Sequence, residues 1–109
     1  MSKVKTEILG PVISDFLKYE ATPQTRVAVA AETGTKAGKF VEYPLRGKKL
    51  VALTDEADGK VIVQPLNCII DLSKVADADV KAATTGKTLD ALKKEGDAYG
   101  IVYQGTPAA

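Results

Sequence analysis

Side chains that could carry out chemistry are few in this chain, and their types limit what they could do. The 109 residues include no histidine and a single cysteine, Cys68. The chain therefore lacks the residues for an intrachain disulfide, a conventional zinc site, or a Cys–His or Ser–His catalytic pair. Catalysis would have to depend on carboxylates, lysines or tyrosines such as Tyr99 and Tyr103. We expect no enzyme activity, no catalytic residue, no metal and no cofactor, with Cys68 packed in or near the core.

Two glycine-containing segments only partly resemble phosphate-binding loops. Gly86-Lys87-Thr88 ends as a P-loop ends, but Lys81 stands where that motif requires another glycine. The segment from Gly34 to Lys39 lacks the spacing of a dinucleotide-binding fingerprint and is typical of a hairpin turn. We therefore expect no nucleotide site at either segment.

Two acidic runs could supply oxygen ligands for calcium. One contains Asp55, Glu56 and Asp58, and the other contains Asp77 and Asp79. Neither run has the ligand series, central glycine and terminal glutamate of an EF-hand. We interpret both as solvated turns.

Arg46, Lys48 and Lys49 form the best basic cluster of the chain. It has no interleaved aromatic residues on which bases could stack, and a net charge of +1 is not a strongly basic footprint. We expect no direct nucleic-acid partner. The three side chains either begin a solvated strand or make electrostatic contacts with an acidic protein surface.

Length and composition predict one soluble domain. Hydrophobic residues make up 45% of the chain and charged residues 27%, and no apolar run is long enough to cross a bilayer. Glu7, Pro11 and Asp15 interrupt the segment in which a signal peptide would need continuous apolar residues. We expect a protein that is made in the cytoplasm and has no membrane partner.

Residues 1–25 are predicted to form an N-terminal arm. Val12, Ile13, Phe16 and Leu17 would share one face of a short helix after Pro11, so the pattern permits a helix over residues 11–19. Such a helix has about two turns and is marginal alone. Two interpretations remain open: a frayed end or small helix that caps the core, and an apolar arm that becomes ordered on a partner.

Residues 26–105 are predicted to form the β domain, and residues 106–109 a tail. Strand patterns cover residues 26–30, 39–43, 48–53 and 99–105, with a strong turn signal at Asp58-Gly59 and a last strand that pairs with an earlier one. Residues 75–96 form an Ala-rich, partly helical insertion. Two short helices are expected there, with Gly96 as a stop signal.

The segment from Gly59 to Lys74 is the most informative for the fold. Its Val, Ile and Leu residues favour two short strands, and Pro65 between them lacks the amide proton of a central ladder position. Pro65 is therefore predicted at an edge, bulge or corner. Together the patterns predict a mainly β fold: a small β-barrel or β-tulip-like domain with an N-terminal arm and one or two short helices.

The order of these segments resembles the small head-decoration, or capsid cement, proteins of tailed bacteriophages. The resemblance covers about Thr25 to Lys74 and, more weakly, Tyr99 to Gly105. In that family a hydrophobic strand commonly runs into an apolar-Pro-Lys-like ending, and Asp71-Leu72-Ser73-Lys74 has serine in place of proline. The family's aromatic-rich strand after a glycine has no clear counterpart in Gly86–Leu92.

The resemblance implies a compact barrel that trimerises on the outer surface of the capsid and stabilises it against the pressure of packaged DNA. The partner would be the major capsid protein, and the protein would lie on the virion exterior after synthesis in the host cytoplasm. We hypothesise that apolar residues of the arm bind the capsid and that Arg46, Lys48 and Lys49 make electrostatic contacts with it. The apolar residues are Val4, Ile8, Leu9, Val12, Ile13 and Phe16. The alternative is a small β-barrel adaptor or ligand-binding module unrelated to capsids.

Overall fold

The computed structural model describes residues 13–84 and 89–108, and within them the protein is mainly β, as the sequence predicts. Two α-helices, α1 (Asp77–Ala83) and α2 (Leu89–Asp97), precede the last strand. The described strands have four residues each and are β1 (Leu17–Glu20), β2 (Val27–Ala30), β3 (Phe40–Tyr43), β4 (Lys48–Val51), β5 (Lys60–Val63), β6 (Cys68–Asp71) and β7 (Ile101–Gln104).

The strands form three small sheets. β6 is the centre of a three-stranded sheet and lies antiparallel to β1 and parallel to β7. β2 pairs antiparallel with β5, and β3 pairs antiparallel with β4. The prediction that the last strand pairs with an earlier one is confirmed. The chain through α1 and α2 provides the long crossover that a parallel pair requires.

The start of the described chain differs from the predicted arm. Ile13–Asp15 forms a 3-10 turn, and β1 then pairs with β6 through Leu17↔Ile70 and Tyr19↔Ile69. The prediction of a helix over residues 11–19 is therefore wrong for Leu17–Tyr19. The spacing of Phe16 and Leu17 suggested one helical face, but a bulge between Leu17 and Tyr19 shifts the strand register instead.

The acidic segment before β5 ends in the predicted turn. Asp58 and Gly59 have φ values of 55° and 78°, and Ala57 and Lys60 exchange backbone hydrogen bonds of 2.9 and 3.0 Å. Positive φ at both central residues is what a type I′ hairpin turn requires. The turn signal at Asp58-Gly59 is confirmed.

Four segments follow one another around a curled unit, in the order β2, β5, the chain after β4, and β3. The Leu53 N–H donates to the Ile62 carbonyl at 2.8 Å, so the chain after β4 pairs along the edge of β5 that β2 leaves free. β2 and β3 lie side by side but share no ladder. Because this seam is open, no closed barrel is found within the described residues.

The predicted insertion contains two helices, but Gly96 has a different role from the one predicted. Gly96 lies inside α2 and is buried. A Cβ at this position would be 2.5 Å from the Ile101 carbonyl oxygen and 2.8 Å from the Tyr103 ring. Gly96 therefore lets α2 pack closely on β7, and the helix ends one residue later, at Asp97.

The core lies between the sheets and the two helices. Cys68 is 1% exposed, which confirms its predicted packing position, and Pro65 is buried in the corner where the chain passes from β5 to β6. The largest fully buried side chains are Phe16, Leu53, Leu72, Leu92 and Ile101.

A buried glutamine joins the three-stranded sheet to the β2–β5 pair. The Gln64 amide donates to Glu20 Oε2 at 2.7 Å, and its Oε1 accepts from the Thr25 hydroxyl at 2.6 Å. Arg26 Nε donates to the same Glu20 oxygen at 3.0 Å. These contacts satisfy the polar groups that the packing of the two sheets removes from water.

Candidate binding surface

Three turns that are distant in sequence meet at one end of the molecule. They connect β3 to β4 (residues 44–47), β5 to β6 (residues 64–67) and α2 to β7 (residues 98–100). Arg46 Nη2 donates to the Pro65 carbonyl at 2.7 Å, and the Asn67 N–H donates to the Tyr99 carbonyl at 3.2 Å. These two hydrogen bonds hold the turns together.

Arg46 is the centre of this end. Its guanidinium carbon lies 3.5 Å from the centre of the Tyr99 ring and 5.1 Å from the centre of the Tyr43 ring. A guanidinium over an aromatic face is favoured electrostatically, and its planar group can stack while its N–H groups donate hydrogen bonds. Arg46 is therefore held in one orientation before any partner binds.

Large apolar side chains are exposed around Arg46. Leu45 is 88% exposed, and Leu66 and Tyr99 are each 38% exposed. We call Leu45, Arg46, Leu66 and Tyr99 the Arg46 surface. Exposed apolar residues that are gathered in one place, unlike scattered ones, mark contact sites for other macromolecules.

The two lysines of the predicted basic cluster lie beside this surface. Lys48 Nζ is 3.8 Å from Glu95 Oε2 in an exposed pair, and exposed ion pairs of this kind contribute little to stability. Lys49 is exposed and forms no ion pair with any described residue. The cluster is thus divided: Arg46 is engaged in packing, and Lys49 is free to contact a partner.

Of the predicted apolar contact residues in the arm, two lie within the described chain. Ile13 is half-buried and packs against the core. Phe16 is 1% exposed, and its ring lies against Gly38. Phe16 is therefore a core residue in this structure, and its predicted contact role needs correction. The other four lie outside the described residues: Val4, Ile8, Leu9 and Val12.

A second apolar surface lies on the outer face of the three-stranded sheet. Tyr19 and Val102 both stand opposite Ile69 in the ladders, so the three side chains form one row across the sheet. Tyr19 is 59% exposed and Val102 is 44% exposed. Unlike the Arg46 surface, this row of three apolar side chains has no guanidinium at its centre.

The acidic turn before β5 has a structural role. Glu56 accepts hydrogen bonds from the N–H groups of Gly34 (3.0 Å) and Gly59 (2.6 Å), which holds the pKa of its carboxyl below the usual range. Asp55 Oδ1 accepts from the Ala37 N–H at 2.9 Å. The interpretation of these acids as solvated turns is therefore incomplete, because they hold the loop between β2 and β3. Among residues 13–84 and 89–108, no three potential metal ligands cluster.

Other titratable groups are shifted by packing or by local hydrogen bonds. Burial raises the pKa of the Cys68 thiol to about 11, and burial also raises the pKa of Tyr103. The hydrogen bond from Arg26 lowers the pKa of Glu20, and the N–H of Ser73 lowers the pKa of Asp71. Each of these pKa shifts is caused by burial or by a hydrogen bond within the folded domain. We therefore assign structural roles to these groups.

An open groove of about 600 Å³ lies along the loop between β2 and β3. Its walls come mainly from this loop and from β3, with Ala30 at the end of β2 and Lys49 of β4. No helix within the described parts of the chain has the length and apolar character to span a bilayer.

No protein-family model matches the sequence, no curated protein is significantly similar to it, and no solved structure has a significantly similar fold. The sequence interpretation identified Arg46 but missed its apolar neighbours Leu45, Leu66 and Tyr99. The available signal was Leu45, a leucine in a turn between Pro44 and Gly47, where polar residues are usual.

Proposed function

We propose that this chain is a structural decoration protein of a bacteriophage capsid, which binds the outer surface of the major capsid protein and has no enzymatic activity. The Arg46 surface is the observation that carries the proposal. A filled capsid is pushed outward by its packaged genome, and a protein that holds several shell subunits together needs contact area and no chemistry.

The composition of the Arg46 surface favours a protein partner. Arginine and tyrosine are enriched among the residues that dominate the free energy of protein interfaces. Burying an exposed leucine such as Leu45 contributes about 1.5–3 kcal/mol. Arg46 is already fixed by Tyr99 and Pro65, so its side chain loses little conformational entropy on binding.

Electrostatic contacts would supplement this apolar contact. Lys49 and, next to it, Lys48 favour an acidic patch on the shell protein, with no requirement for nucleic acid. Exposed charge pairs of this kind are screened by salt and mainly affect the rate of association. Binding should therefore weaken only moderately as the salt concentration rises.

The arm supplies a second candidate contact. Val4, Ile8, Leu9, Val12 and the half-buried Ile13 are its apolar residues, and we propose that they fill grooves of the shell. Attachment as a homotrimer would multiply modest affinities of single copies through a high effective concentration. The proposed location is the virion exterior, reached after synthesis in the host cytoplasm.

We further propose that the domain forms a β-barrel or β-tulip. A β-barrel or β-tulip would require the seam between β2 and β3 to be closed, and the curled order of β2, β5, β4 and β3 is compatible with that closure. A contact that fills the seam on the shell would complete such a barrel.

Cosedimentation with capsid shells that lack this protein tests the proposal. Expanded shells and unexpanded shells of the same phage are incubated with the full chain, and the bound fraction is measured over a range of concentrations. We expect saturable binding to expanded shells. No binding above the background of a shell-free control would contradict the proposal and favour an adaptor or ligand-binding module.

A further inference from the structure

The edge of β3 that faces away from β4 carries backbone groups that no described residue pairs with. The Ala52 N–H donates to the Lys39 carbonyl at 2.7 Å, and Val41 stands opposite Leu50 in the same ladder. Since alternate residues of an antiparallel strand point their backbone groups at the same partner, Lys39 and Val41 face β4. The N–H and C=O groups of Phe40 and Glu42 therefore point away from β4, and no described residue pairs with them.

β2 has a free edge of the same kind. The Ala31 N–H donates to the Gly59 carbonyl at 2.9 Å, so alternate residues from Ala31 back to Val27 face β5. On the other side of β5, the backbone of Ile62 bonds the chain after β4, which agrees with this alternation. The backbone groups of Ala28 and Ala30 consequently point away from β5 and have no partner among the described residues.

The groove of about 600 Å³ lies along the loop between these two strands and reaches Ala30 at the end of β2 and Phe40 and Glu42 of β3. A strand edge is matched by another extended polypeptide, because only a backbone repeats donors and acceptors at this spacing. The exposed side chains of β2 are those of Ala28 and Ala30, which are small, and Phe40 of β3 is half-buried.

The charges of the groove also favour a polypeptide. Glu32 and Glu42 stand in the lining with Lys36 and Lys49, and none of these four side chains forms an ion pair with a described residue. With glutamates among its lysines, the groove is not the uniformly basic surface that binds nucleic acid, whereas a peptide segment with charges of both signs can complement all four side chains.

We propose that this groove receives an extended segment of the shell protein, which adds as a strand to the free edge of β3. The inference rests on the proposed function, since it takes the shell protein as the partner. The added strand would pair with Phe40 and Glu42 and lie across the seam toward β2. It would provide directional backbone contacts that the Arg46 surface lacks.

Glu42→Pro is the direct test, with Glu42→Ala as its matched control. Both variants remove the same carboxylate, but only proline removes the free N–H of residue 42, and that N–H takes no part in the ladder with β4. We expect Glu42→Pro to bind expanded shells about tenfold more weakly than Glu42→Ala. Equal affinities of the two variants would overturn the inference while leaving wild-type shell binding, and so the proposed function, intact.

Amide hydrogen exchange of the wild-type protein provides a test that needs no variant. The amides of Phe40 and Glu42 should exchange fast in the free protein and at least about tenfold more slowly on shells. Unchanged exchange on shells that bind the protein would also overturn the inference. The protein could instead self-associate in a way that Glu42→Pro abolishes while shell binding stays unchanged. This result would show that the groove binds a second copy of this chain, and it would contradict the proposed partner. Absence of any wild-type shell binding would overturn both proposals.

Discussion

At the scale of single residues, Gly96 shows how strongly packing can override helix propensity. Alanine is normally better than glycine inside a helix by about 1 kcal/mol. At this position, however, a Cβ would stand 2.5 Å from the backbone oxygen of Ile101, which cannot move away without disturbing β7. Close contact between α2 and β7 therefore depends on the absence of a side chain.

We expect Gly96→Ala to lower the free energy of unfolding by about 1–3 kcal/mol, the usual cost of overpacking a core. Urea denaturation of the purified variant measures this change. Lys94→Ala, at an exposed position of the same helix, is the control and should change stability by no more than about 0.5 kcal/mol. An unchanged or increased stability of Gly96→Ala would show that α2 does not pack on β7 in this way.

Glu56 gives the stability a defined pH dependence. Hydrogen bonds from the N–H groups of Gly34 and Gly59 lower the pKa of its carboxyl from 4.5. A lowered folded-state pKa contributes stability that is fully present above the unfolded-state pKa and is lost as the pH falls through the folded-state pKa. The stabilisation from Glu56 should therefore disappear as the pH falls below about 4.5.

Glu56→Gln should reduce stability at pH 7 and make the melting temperature depend less on pH between about pH 5 and pH 3. Thermal melts at a series of pH values measure both effects. Glu32→Gln is the control, because the carboxylate of Glu32 accepts no hydrogen bond from the described residues. If both variants follow the wild-type pH profile, Glu56 does not hold the loop between β2 and β3.

At the scale of elements, the position of β1 decides how much of the N-terminal arm can be deleted without damage to the fold. β1 is one of the two edge strands of the three-stranded sheet, and Phe16 just before it is buried in the core. Deleting residues 2–20 should therefore destabilise the domain by at least about 3 kcal/mol through the loss of Phe16 alone. Deleting residues 2–12 leaves β1 and Phe16 in place.

We expect the chain without residues 2–12 to keep the wild-type circular dichroism spectrum and to show a reduced affinity for shells. Deletion of residues 2–20 serves as the comparison and should lose the cooperative unfolding transition. Wild-type shell affinity of the shorter deletion would exclude the arm as a contact. Wild-type stability of the longer deletion would contradict the position of β1 in the sheet.

The elements that the sequence predicted correctly are those whose signals lie within a short stretch of the chain. Strand alternation and the Asp58-Gly59 turn are local, and the structure has them where the sequence predicts them. β1 was missed because its bulge breaks the alternation and its apolar spacing imitates a helix. The Arg46 surface was only partly predictable, because Leu45, Leu66 and Tyr99 are brought together by tertiary packing. The open seam likewise depends on how sheets curl, which no short pattern specifies.

At the scale of the whole molecule, the described chain is a small β-rich body with its exposed apolar residues in two places. The Arg46 surface lies at one end, and the row of Tyr19, Ile69 and Val102 covers one sheet face. A protein that attaches to a shell and to its own copies needs two such surfaces. We propose that the Arg46 surface contacts the shell, because its charged group is already fixed in place.

The most direct test is the shell affinity of the double variant Leu45→Ser, Leu66→Ser, measured by cosedimentation with expanded shells. Both leucines are exposed, so the fold should be retained, and loss of two apolar contacts should weaken binding by at least about tenfold. Ala78→Ser, which changes an exposed side chain of α1 outside both apolar surfaces, should bind the shell as wild type does. Wild-type affinity of the double variant would contradict the Arg46 surface as the site of shell binding.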